Sequence, residues 1–147
     1  MKRDGRDAAP DLGGLRPFAI LVGWTADFFG TSFTGPLLFI GFGADPSDPS
    51  AFDRLNAAPD FLLASLVFGL AWTVVGGFVA AHLAPGAERP NALAEGVASA
   101  ASGLVLALTS DVGPSVWYLA LATALTIPAA MLGGYARERT RGAHLVT

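Results

Sequence analysis

Four stretches of this chain are each long enough to cross a bilayer, and together they hold two charged residues. Pro17 to Ala44 contains Asp27 alone, and Asn91 to Ser110 contains Glu95 alone. Phe61 to Ala87 and Val112 to Ala136 contain none. A hydrocarbon core about 30 Å thick is spanned by about 20 apolar residues in a helix. A soluble bundle of the same size would carry a polar stripe along each helix, and the second and fourth stretches have no charged face to supply one. Only 14% of the 147 residues are charged, against roughly 25% in an ordinary soluble domain. The expected fold class is therefore all-α: an integral membrane four-helix bundle in one domain.

The predicted bundle occupies residues 17–136, with spans at about 17–43, 61–83, 91–110 and 115–135. Residues 1–16 mix both charge signs with Gly and Pro and read as a mobile cytoplasmic tail. Residues 137–147 read as a basic cytoplasmic tail. The first span is interrupted by Gly30, Gly35, Pro36, Gly41 and Gly43, which predicts a kink near Pro36 or an end before Gly41. Ser50-Ala51-Phe52-Asp53 reads as a capping box that opens a short surface helix from Ala51 to Asn56. Phe52 and Leu55 would dip into the interface. A tight turn is expected over residues 110–114. The N-terminus does not read as a cleavable signal, because a sixteen-residue charge-rich segment precedes an apolar stretch too long for a signal core.

Orientation follows from the basic residues. Lys2, Arg3, Arg6, Arg16, Arg89, Arg137, Arg139 and Arg141 fall on one side of this layout, and Arg54 alone falls on the other. Short basic segments stay in the cytoplasm, so both ends are expected inside. Trp117, Tyr118 and Tyr135 fit aromatic belts at the two interfaces. Span two ends on Gly76-Gly77-Phe78 and span four on Gly133-Gly134-Tyr135. Two parallel helical hairpins would give this repeat, and so would shared constraints on helix ends.

Membrane helices associate where small residues let backbones approach. Each span carries such a ridge at four-residue spacing. Gly23 and Gly35 flank Asp27 in span one, and Gly69 and Gly77 lie in span two. Ser99 and Gly103 follow Glu95 in span three, and Gly134 ends the ridge of span four. These are the expected helix-packing positions.

Asp27 lies about 15 Å into its helix at 1.5 Å per residue, near the middle of a bilayer. A carboxylate there costs at least about 2.5–3.5 kcal/mol on insertion scales and should face the bundle interior. It is either a proton or cation site, or a protonated acid bonded to a neighbouring helix. Glu95 is expected in the first turns of span three, partly wet and favoured by the helix dipole. If the two acids face each other, at least one holds a proton, because two like charges cannot share a low-dielectric site. No Lys or Arg lies in the spans; Arg16, Arg89 or His82 would have to reach in from the cytoplasmic edge. His82 is the third candidate of the proton or cation set, although a lone His at a helix end more often complements the dipole. Trp24 and Trp72 each need an acceptor for the indole N–H when buried, and Asp27 and Thr73 are at hand.

Several classes are excluded. The chain has no cysteine and a net charge of -3. Disulfides, thiolate metal sites and thiol redox chemistry fall away, and there is no electrostatic footprint for nucleic acid. No phosphate-binding loop, zinc-protease pair or nucleophile elbow is present. No metal site and no cofactor are expected, and an enzyme is the least supported class.

Gly23-Trp24-Thr25-Ala26-Asp27, Gly76-Gly77-Phe78-Val79-Ala80 and Gly133-Gly134-Tyr135-Ala136 resemble segments of small bacterial four-span membrane proteins of no assigned activity. The resemblance implies a bacterial inner-membrane location and the four-span layout. The first functional expectation is a non-catalytic subunit that packs in a larger membrane complex or on copies of itself. The alternative is a proton- or cation-coupled transporter or channel using Asp27 and Glu95. A third reading, an enzyme acting on lipid at the cytoplasmic face, would use Glu95, His82 and Arg89.

Overall fold

A computed structural model describes residues 14–110 and 114–143. Lys2, Arg3, Arg6 and His144, and the middle of the predicted 110–114 turn, lie outside the described residues. The fold is all-α, with five helices and no strand among the described residues: α1 (Pro17–Gly41), α2 (Ala51–Asn56), α3 (Pro59–His82), α4 (Glu88–Thr109) and α5 (Val116–Ala143). Three of them, α3, α4 and α5, are long and apolar enough to cross a membrane. At 25 residues α1 has the length, but Asp27, Thr25, Thr31, Ser32 and Thr34 dilute its apolar character.

Helix ends differ from the sequence expectation in ways local chemistry explains. α1 runs through Pro36 and stops at Gly41. Gly43, at φ +75°, then donates to Ile40 O while Ala44 donates to Phe39 O, the paired bonds of a Schellman end. α4 starts at Glu88 rather than after Pro90, because a proline in the first turn lacks only an N–H that would have no helical partner. α5 continues through 137–143, so much of the expected basic tail is helical. α2 spans the predicted residues, but Ser50 makes no side-chain cap. Its hydroxyl instead donates to Asp48 Oδ1 at 2.8 Å, and the loop is organised by Asp45 and Asp48.

α3 and α4 each meet all three other long helices, so they form the diagonal of the bundle and α1 and α5 flank them. The burial pattern is inverted relative to a soluble protein. Large side chains such as Phe18, Phe33, Leu108 and Val116 point outward, each more than two-thirds exposed. Buried apolar positions are mostly alanine: Ala19, Ala51, Ala80, Ala81, Ala84, Ala92, Ala129 and Ala130. This is the pattern of membrane helices, for which surrounding lipid would remove the incentive to bury large apolar groups and leave close backbone approach as the source of cohesion. The glycines show where that approach occurs. A Cβ on Gly77 or Gly133 would collide with the backbone of Ala130 or Val74, and one on Gly23 would lie 2.6 Å from Gly76 O. One on Gly134 would meet Ala92 at 2.6 Å, and one on Gly30 would enter the Trp72 ring. At Gly35, Gly69 and Gly103 nothing lies within 4 Å. Among the expected packing glycines, Gly23, Gly77 and Gly134 therefore sit at helix contacts. Gly35, Gly69 and Gly103 have room for a side chain, Gly69 and Gly103 because they line hollows of the bundle.

Candidate functional site

The largest fully buried side chains of the bundle are Glu95 and Asn91. Both lie on α4, one turn apart, and Ser99 continues the same face one turn further. Side chains four residues apart stack along one face of a helix. This stripe points at Asp27 of α1, which is 7% exposed.

Ser99 joins the two acids. Its Oγ lies 2.7 Å from Asp27 Oδ2 and 2.9 Å from Glu95 Oε1. Thr73 of α3 lies 3.3 and 3.2 Å from the two Asp27 oxygens, and Thr31 lies 3.4 Å from Oδ1. A serine hydroxyl carries one proton and can donate only once. Two short contacts from one Oγ to two carboxyl groups therefore need one of the acids to be the donor, and the triad holds an acid proton. Glu95 Oε2 is buried with no hydrogen-bond partner among the described residues.

Gly76 makes the arrangement possible. A Cβ there would lie 2.8 Å from Glu95 Oε1, 2.8 Å from Gly23 O and 3.0 Å from Asp27 Cβ. Glycine at 76 and at 23 lets α1 and α3 close against each other with the glutamate head between them and α4.

Glu95 departs from its sequence expectation. It was placed in the first turns, partly wet, but α4 begins seven residues earlier and Glu95 is 0% exposed. The basic residues at the Arg16 end do not reach it. Arg16 donates from its guanidinium to Leu83 O and Pro85 O, both at 3.3 Å. Arg89 pairs with Glu138 at 2.8 Å. His82 is exposed and stacks on Phe78. Glu95, His82 and Arg89 are thus not assembled into one site, and the lipid-enzyme grouping has no geometric basis. No cluster of three metal-ligating side chains occurs among the described residues.

The two sides of the triad differ. Towards the Arg54 end, three hollows meet at Ser99. One of about 200 Å³ lies between α1 and α4, with Asp27 and Ser102 in its wall. One of about 150 Å³ lies inside the bundle, lined by Asp27, Ser65, Thr73, Ser99, Tyr118 and Thr126. One of about 190 Å³ lies between α4 and α5. A water occupies about 30 Å³ in the liquid, so each has room for several, and the hydroxyls give them partners. Towards the other end the way is closed. Asn91 Nδ2 donates to Gly14 O at 3.1 Å and Ala87 O at 2.8 Å. Its Oδ1 accepts the Arg16 N–H at 2.7 Å.

No protein-family model, curated protein or solved structure matches this chain.

The sequence placed Asp27, Glu95 and Ser99 on ridges but did not pair them. It missed Asn91, whose spacing of four from Glu95 was the available signal. It also misassigned the indole acceptors. Trp24 donates to Ser102 at 3.0 Å and Trp72 to Thr34 at 2.8 Å. Each serves to tie α1 to a neighbour, leaving the Asp27 oxygens to hydroxyl groups.

Proposed function

We propose that this chain is a proton-coupled membrane transporter or channel whose proton site is the Asp27–Ser99–Glu95 triad. The observation that carries the reading is the single Ser99 hydroxyl bridging two buried carboxyl groups at the inner end of hollows that are largely apolar but carry several Ser and Thr hydroxyls. Acids within membrane spans that face a cavity are functional-site candidates by default, proton relays among them. Two arrangements of one proton fit the triad. In one, Glu95 is protonated and donates to Ser99, which donates to the Asp27 carboxylate. In the other, Asp27 is protonated and donates to Ser99, which donates to the Glu95 carboxylate. Shifting both protons together interconverts them, with the Glu95 O–H breaking as the Asp27 O–H forms, and moves one charge between the two helices. A cation in place of the proton is disfavoured, since 2.7 and 2.9 Å contacts through Ser99 leave no space for an oxygen-ligated ion between the acids.

In this reading four helices cross the bilayer, α1 included, with both ends cytoplasmic in a bacterial inner membrane. Arg16, Arg89, Arg137, Arg139 and Arg141 at one end against Arg54 at the other support that orientation. The test is proton flux into liposomes under an imposed pH gradient, read with an internal pH dye. Asp27→Asn and Glu95→Gln should each lower the flux at least about tenfold, the scale of losing a positioned proton-transfer group. Flux unchanged in both variants overturns the assignment.

A second reading, a subunit packed in a larger membrane complex or on copies of itself, is favoured by Gly35, where an added Cβ would meet nothing within 4 Å among the described residues; Gly69 and Gly103 line hollows of their own bundle. Gentle extraction followed by native mass measurement separates the two. A stoichiometric foreign component favours the subunit, and a bare monomer with flux removes it.

A further inference from the structure

A hollow of about 530 Å³ lies away from the acids. It opens on the outer face where α4 starts and α5 nears its end. Arg89 forms its rim, and Pro128, Met131, Leu132 and Tyr135 form its floor. The four floor residues fall at i, i+3, i+4 and i+7, one face of α5. They run about 10 Å along the helix at 1.5 Å per residue. The floor is apolar at its deep end and aromatic at its shallow end, the gradient that a lipid chain meets below its headgroup.

The rim carries unspent positive charge. Arg89 gives Nε to Glu138 at 2.8 Å, and its two terminal amino groups have no protein partner among the described residues. Its side chain is 58% exposed. Arg139 stands with its guanidinium carbon 4.6 Å above the Tyr135 ring, which holds a second cation at the same depth. Two arginines against one glutamate leave the rim net positive.

We propose that this groove binds an anionic phospholipid, with the headgroup phosphate on the free amino groups of Arg89 and one acyl chain along Leu132, Met131 and Pro128. A guanidinium fork matches phosphate oxygens two at a time. The apolar floor is what selects a lipid over a soluble phosphate. The inference rests on the helices crossing a membrane and is independent of the proton reading, since neither Arg89 nor the α5 floor touches Asp27 or Glu95.

The test is native mass spectrometry of the protein released from micelles holding equal amounts of dioleoyl phosphatidylglycerol and dioleoyl phosphatidylcholine. Phosphatidylglycerol should be retained preferentially. Arg89→Gln should cut that preference about fivefold, the effect of one basic residue at an anionic membrane surface. Glu138→Gln should raise it, because it frees Arg89 and removes the opposing charge. Equal retention of the two lipids overturns the proposal. So does a parallel loss in both variants, which would show that the Arg89–Glu138 pair only holds the helices together. Displacement of phosphatidylglycerol by millimolar inorganic phosphate would assign the rim to a soluble anion instead. Proton flux in Arg89→Gln liposomes should match the parent, and that keeps this proposal separable from the triad.

Discussion

The two halves of the bundle are built from the same small residues and pack differently. In the half near Arg16 and Arg89, glycine meets backbone. Gly23 and Gly76 face each other, Gly77 lies against Ala130, and Gly133 against Val74. In the half near Arg54, Gly35, Gly69 and Gly103 meet nothing, and hydroxyl-lined hollows stand between the helices. A ridge of small residues permits close approach but does not enforce it. Closure needs complementary ridges on both helices at one height, and a route for each buried polar group to a partner. The triad sits at the seam, where the packed half ends and the hollows begin.

The sharpest way to break this comparison is to add one methyl group to each half. Gly77→Ala should destabilise the bundle by about 1–3 kcal/mol, the usual result of overpacking a filled contact. Gly69→Ala, on the same helix, should be neutral or stabilising by at most ~1 kcal/mol, because alanine is the better helix former. Thermal unfolding in mild detergent measures both. Equal losses would mean that both halves are closed in solution.

Asn91→Ala probes the seal of the packed half. It removes the acceptor of the Arg16 N–H and the donor to Gly14 O, which should cost about 1–3 kcal/mol as buried polar groups lose partners. Protease sensitivity of the N-terminal segment should rise with it. An intact segment in this variant would show that the Arg16 guanidinium contacts suffice alone.

The absence of cysteine makes accessibility a clean measurement. Ser65→Cys lines the hollow inside the bundle, while Ala81→Cys, on the same helix, lies at a position with 0% exposure. A small membrane-impermeant thiol reagent added from the Arg54 side should label Cys at 65 and spare Cys at 81. Similar rates at both would erase the distinction between the halves.

The smallest effect belongs to the loop that ties the open ends of α1 and α3. Asp48 is pulled down to about 2 by the hydrogen bond from Arg54 and by those from Ser50. A lowered folded value contributes stability that is fully present above the ordinary carboxylate range and is lost as pH falls through about 2. The Asp48–Arg54 pair lies at the surface, its side chains 35% and 61% exposed, so the contribution is screened and slight. Asp48→Asn should leave the unfolding temperature nearly unchanged while removing the acid transition of the loop in an NMR titration.

Much of the architecture was legible beforehand. Charge-free length announced α3 and α5, α1 begins at Pro17 as read, and α2 appeared over Ala51–Asn56 as read, while α3 starts at Pro59, two residues before the expected Phe61. The errors were local. Pro90 was taken as a boundary although a first-turn proline costs a helix nothing, so α4 was begun too late. Glu95 was then placed too near the surface. The capping box at Ser50 lost to Asp48, which competes for the same hydroxyl.

By itself the sequence determined the helical fold, the apolar exterior and the presence of two acids where lipid would otherwise demand apolar groups. These follow from composition along the chain, because helix-length apolar runs set what a helix presents and an acid within such a run is a costly exception in hydrocarbon. Only the tertiary structure decided that Asp27 and Glu95 share Ser99, that Gly76 makes room for them, and that Arg16 and Arg89 turn elsewhere. Those outcomes depend on the rotation and height of each helix against its neighbours. Side-chain periodicity places a residue on a face of its own helix, and only the packing of that face selects what it meets.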